Sequence, residues 1–182
     1  IVLLSLRLPY GGLHAECFFY DFKNNIIERF DPYGNSYDLD VNIDKVLEEE
    51  LTWNTGFRYL NVKKYLPVSG LQTLSDENNY LKQKPGDFGG YCLAWCLWYI
   101  EHRIINSKHS AKKIVKKLID KLLRNKDSLI EYIRNYANNI NLERIDIFKK
   151  IGIPDNKITN LNLSIKEERL ILKYLIKNTT LN

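Results

Sequence analysis

Apolar positions fall in short runs over the first part of the chain and at helical spacing over the last part. Ile1 to Leu8 is a short apolar run stopped by Pro9, Gly11 and Gly12, and it predicts a buried strand. Leu13 to Phe22 predicts a second strand, Lys23-Asn24-Asn25 a turn, and Ile26 to Phe30 the returning strand of a hairpin. Asp31-Pro32-Tyr33-Gly34-Asn35 closes that hairpin with turn-forming residues. Asn42 to Trp53 reads as a helix with Val46, Leu47 and Leu51 on one side. Phe57 to Leu66 alternates imperfectly and predicts another strand, closed by Pro67, Ser69 and Gly70. Leu71 to Phe88 is a polar connection, longer than most ordered loops.

The stretch Gly89-Gly90-Tyr91-Cys92-Leu93-Ala94-Trp95-Cys96-Leu97-Trp98-Tyr99-Ile100 opens a helix predicted to run to about Ile105, with most of its faces buried. Beyond it the chain is helical. Ser110 can cap a helix whose Ile114, Val115, Leu118, Ile119, Leu122 and Leu123 form an apolar stripe. Lys112, Lys113, Lys116, Lys117 and Lys121 lie on its other side. Ser164-Ile165-Lys166-Glu167 is a capping box for a last helix. Strands first and helices last predict an α+β fold: a mixed or antiparallel central sheet packed on the cysteine-bearing helix, with a helical C-terminal part. The expected organisation is a core over 1–106 and a helical extension over 107–182, in one unit. No internal repeat is visible.

Composition narrows the function classes. Twenty-seven Lys and Arg against 22 Asp and Glu give +5, compatible with an acidic partner or nucleic acid. Three cysteines in 182 residues are not a disulfide framework, and the Cys92/Cys96 pair is a poor zinc signature, so a reducing, intracellular setting is expected. No apolar run reaches membrane-spanning length, and no nucleotide-binding glycine motif is present. Neither a metal nor a cofactor is expected.

The candidate chemistry sits at Cys92. A cysteine at a helix start feels the positive end of the helix dipole, which favours thiolate. A nucleophilic cysteine needs a base, and His102 and His109 lie at or beyond the far end of that helix, which leaves His14. Asp31 ends the neighbouring hairpin strand and is placed to orient His14, with Glu16 and Glu28 as competitors. The Cys92 N–H and an amide, Gln72 or Gln83, are candidate oxyanion donors.

The segments from His14 to Phe22, Glu28 to Gly34 and Gly90 to Trp95 together resemble the Ulp1/adenain superfamily of cysteine proteases, closest to members from large DNA viruses. The resemblance covers roughly the first 105 residues. It implies a catalytic set of Cys92, His14, Asp31 and Gln72, with Gly89, Gly90, Tyr91 and Ala15 along the substrate cleft. It also implies a peptidase acting on a viral or parasite precursor protein, or on a ubiquitin-like conjugate, in the cytoplasm or a virion. Two alternatives stand beside it: an acyltransferase on the same triad, and a non-enzymatic binding module using the basic helix from Ser110 to Asn125 on an acidic protein or nucleic acid.

Overall fold

The computed structural model describes residues 1–7, 12–34, 43–75, 90–125, 128–160 and 162–179. The candidate site residues Gly89 and Gln83 lie outside them. The fold is α+β. Four strands, β1 (Val2–Arg7), β2 (Leu13–Asp21), β3 (Ile26–Phe30) and β4 (Arg58–Leu60), form one sheet in chain order. Strands β1, β2 and β3 run antiparallel, and β3 and β4 are parallel, joined through α1 (Ile43–Thr52). The mixed sheet follows from this crossover.

Two strand expectations change. β1 is an edge strand, not a buried one, with Val2 and Leu3 largely exposed. β4 stops at Leu60 because the Asn61 side chain accepts the Lys63 N–H at 2.7 Å and starts a single 3₁₀ turn, Val62–Lys64. The expected polar connection after Gly70 instead begins with a short helix, α2 (Gly70–Leu74).

Each face of the sheet takes one helix. On one side Phe18, Ile27 and Tyr59 make a core closed by Leu47 and Leu51 of α1. On the other lies α3 (Cys92–Ile105), which buries Trp95, Cys96, Trp98, Tyr99 and Arg103. It is less enclosed than its apolar sequence suggests, since Leu93, Ile104 and Ile105 are exposed. Tyr99 stacks on Phe30 at 4.3 Å between ring centres. The Arg103 guanidinium forks onto the Glu28 carboxylate at 2.6 and 2.9 Å, and the Tyr99 hydroxyl donates to Glu28 at 2.7 Å. Removing one partner of such a buried pair typically costs about 3–5 kcal/mol, so α3 is firmly registered on β3. α4 (Ala111–Asn125) buries Ile114, Val115, Leu118 and Leu122 of the expected stripe, with Ile119 half-buried, and Ala111 besides.

Backbone contacts divide the chain into Ile1–Arg134 and Asn135–Asn182. α5 (Leu129–Lys150) crosses that division, and its first turn belongs to the sheet unit, where Tyr132 accepts the Trp98 indole N–H at 2.8 Å. The second unit has its own core of Phe148, Ile153 and Ile158, with α6 (Asp155–Asn160) and α7 (Ile165–Thr179). Ser164 and Glu167 cap α7 reciprocally.

Candidate active site

Three elements converge near the start of α3. Gly90 precedes the helix at φ +88°, a left-handed conformation that suits glycine. Tyr91 is the N-cap, and Cys92 is the first helical residue and half-buried. His14 is the second residue of β2 and is buried. Asp31 follows the last residue of β3. Because Cys17 pairs with Phe30, Asp31 falls beside the start of β2. His14 Nε2 and Asp31 Oδ1 are 2.9 Å apart. Of the competing carboxylates, Glu28 is committed to Arg103 and Glu16 to Arg29.

Arg29 holds this arrangement from beneath. Its guanidinium donates to Glu16 at 2.7 and 3.0 Å, to Asp31 Oδ2 at 3.1 Å and to Asp44 of α1 at 3.2 Å. Asp31 also accepts the Tyr33 N–H at 2.9 Å, and the Tyr33 ring lies 4.7 Å from the imidazole. Asp31 therefore cannot turn away from His14 without breaking two further bonds. The donor atoms of His14, Glu16 and Asp31 lie within 4.8 Å of one another, a spacing a metal could use. Both carboxylates already face the Arg29 guanidinium, so a second cation would have to displace it.

The two reactive groups shift each other's proton affinity. Burial disfavours a charged His14, but the Asp31 hydrogen bond and the neighbouring Cys92 outweigh it, and the pKa rises to about 9. Burial likewise disfavours a Cys92 thiolate, but the His14 ring and the Ala15 and Leu93 N–H groups overcome it and hold the pKa below the usual thiol value. With Nε2 taken by Asp31, the buried Nδ1 is the ring nitrogen left to serve the Cys92 thiol. The other two cysteines are different. Both are fully buried, and Cys96 is pushed far up by its Cys17 neighbour and by burial, so it stays a thiol.

Gln72 comes to the same place by a route the sequence does not announce. Its N–H donates to the Pro32 carbonyl at 2.9 Å. Gly34 and Gly70 touch backbone to backbone: a Cβ on Gly70 would lie 2.2 Å from Tyr33 and one on Gly34 2.5 Å from Gly70. This contact clamps α2 to the turn after β3. The buried Gln72 amide nitrogen then lies 3.3 Å from where a Gly90 Cβ would sit. Ala15 lies next to Cys92 through its N–H. The structure thus gathers Cys92, His14, Asp31, Gln72, Gly90, Tyr91 and Ala15 at one end of α3. Sequence reasoning missed Arg29, Tyr33, Gly34 and Gly70. The available signal for Arg29 was a charged pair, Glu28-Arg29, inside the five-residue strand Ile26–Phe30.

No protein-family model matches the chain, and no solved structure matches it. A protein of Acanthamoeba polyphaga mimivirus, named as an ankyrin repeat protein, is 30% identical over 186 aligned residues, covering 95% of this chain and 24% of that protein. The chain thus spans about a quarter of the relative's length. This overturns the resemblance to Ulp1/adenain proteases: the relative found is named for a different architecture, and no protease family is matched. With it goes the reading as a thiol protease or deubiquitinase that cleaves a precursor or a ubiquitin-like conjugate. The physical reason is that a thiol, an imidazole and a carboxylate in series recur on unrelated folds, so their spacing does not identify a family or a reaction. An ankyrin repeat is a unit of about 33 residues with a turn and two helices. The described residues here build a four-stranded sheet, so the relative's name is not carried over to this fold.

Alkylation by iodoacetamide tests the paired thiol. Mass mapping should place the label on Cys92 and not on Cys17 or Cys96. Its rate should fall less steeply below pH 8 than the roughly tenfold per pH unit of an ordinary thiol of pKa about 8.5. In His14→Asn the steep dependence should return. An equally steep profile in the native protein would contradict the pairing.

Proposed function

We propose that the chain is an acyl-transfer catalyst with Cys92 as the acyl carrier. The observation that carries this is the series Cys92, His14, Asp31, in which the thiol is made more acidic and the imidazole more basic than usual. The Cys92 thiolate attacks the carbonyl carbon of an acyl thioester and forms a C–S bond. The donor's C–S bond breaks, and the leaving thiolate takes the proton from the His14 imidazolium. An amine, such as a lysine of a protein acceptor, then attacks the acyl-Cys92 carbonyl. His14 Nδ1 removes the amine proton, and the bond to the Cys92 sulfur breaks. Asp31 keeps Nε2 occupied so that Nδ1 serves the reaction. In this reading the Cys92 N–H and the Gln72 amide receive the oxyanion.

Incubation with a hexanoyl thioester and a lysine-bearing protein tests this reading. Intact mass should show one acyl group on Cys92, passed to lysine. Cys92→Ala should abolish both, and Gln72→Ala should slow acylation by about a hundredfold, the usual effect of losing one oxyanion donor. A native protein that alkylates normally but accepts no acyl group would contradict it.

A second reading, protein binding, is favoured by a separate observation. Lys63 and Lys64, with Lys112 and Lys116 of α4, line one cleft of about 330 Å³ that also holds Asp120. An acidic protein segment fits the lysine cleft, and the second activity is compatible with the first. The setting that suits a free reactive thiol is a reducing, intracellular one. No described helix is long and apolar enough to cross a membrane. Polyglutamate binding, followed by fluorescence anisotropy, should weaken with salt and in the double variant Lys112→Glu, Lys116→Glu. Unchanged affinity in that variant would remove this reading.

A further inference from the structure

A cavity of about 260 Å³ has Cys92 in its wall, and most of its described lining is apolar. Leu3 and Leu4 of β1, Leu13 and Ala15 of β2 and Leu93 of α3 line it, together with Ser5, His14 and Cys92. Leu3, Leu13 and Leu93 are 47%, 69% and 51% exposed, so three leucines from three elements surround one thiol at the surface. Single exposed leucines need no explanation, but a cluster rimming a reactive group does. β1 is an edge strand with no described neighbour beyond it, so the sheet itself does not cover the cavity.

We infer that this cavity receives the hydrocarbon chain of the acyl donor, so that the substrate is a medium-chain acyl thioester and not an acetyl one. The inference rests on the acyl-transfer reading and specifies its substrate. Cys92 is itself part of the wall, so an acyl group attached there has its chain within reach of the leucines. Among the described residues of the wall, the polar side chains besides Cys92 are His14 and Ser5. A volume of about 260 Å³ holds roughly eight groups at about 30 Å³ each, which corresponds to a linear chain of six to eight carbons.

Acylation of Cys92 by a series of thioesters from acetyl to dodecanoyl, read by intact mass, tests this. The rate should climb by up to about fourfold per added methylene, the value for burying one such group, and stop climbing near eight carbons. The octanoyl-to-acetyl rate ratio within one variant cancels any loss of fold or thiol reactivity. That ratio should collapse toward one in Leu13→Asp and Leu3→Asp. A native ratio near one, with acetyl attached to Cys92, would overturn the cavity's role and leave acyl transfer standing. Acceptance of no thioester at all, with alkylation intact, would sink acyl transfer and the cavity assignment together. Native ratios retained in both leucine variants, with self-association lost instead, would assign the leucines to a dimer contact and end the proposal.

Discussion

Two adjacent charges inside β3 fix the geometry of this protein. Neighbouring residues of a strand point to opposite faces. Glu28 therefore meets α3 on one side of the sheet, and Arg29 meets Glu16, Asp31 and Asp44 on the other. The first contact registers the helix that carries Cys92. The second locks the carboxylate that carries His14. Neither charge has water to fall back on, and each is matched by forked hydrogen bonds, the form in which buried ion pairs are well compensated. One dipeptide thus sets both halves of the candidate site, from opposite sides of the same strand.

The consequence is chemical as well as structural. Arg29 and the Tyr33 N–H hold Asp31 in one orientation, so the Asp31–His14 bond needs no rearrangement to form. The imidazole gains basicity from that bond although burial works against it. The thiol two elements away gains acidity in turn. The Gly34–Gly70 contact adds the Gln72 amide by letting two backbones touch where any side chain would intervene. The apolar cavity beside the sulfur then gives the centre a neighbour suited to hydrocarbon.

Much of the sheet unit was legible in the chain. The run from Leu13 to Phe30 announces a hairpin, and a hairpin brings a residue near its start beside one just past its end, which is why His14 and Asp31 could be placed together. The stripe of α4 and the cap of α7 were equally open to reading, because both are local patterns. The strand expected through Leu66 stopped early because a single Asn61 side chain competes for the backbone. α2 was hidden because its first residue is a glycine held by a distant glycine, a tertiary contact with no local mark. Arg29 reads as a surface charge until both faces of β3 are known to be covered. The protease assignment went wrong one level higher: the residues carry a chemistry, and the chemistry was taken for a family.

The account turns on an imidazole that stays protonated well above neutrality because Asp31 and Cys92 surround it. Proton NMR of the three histidine ring signals across pH measures this directly. One signal, absent in His14→Asn, should titrate near 9. If no histidine signal titrates above about 7.5, the ordinary upper range for the side chain, the imidazole is not held by its neighbours and the coupled site does not exist.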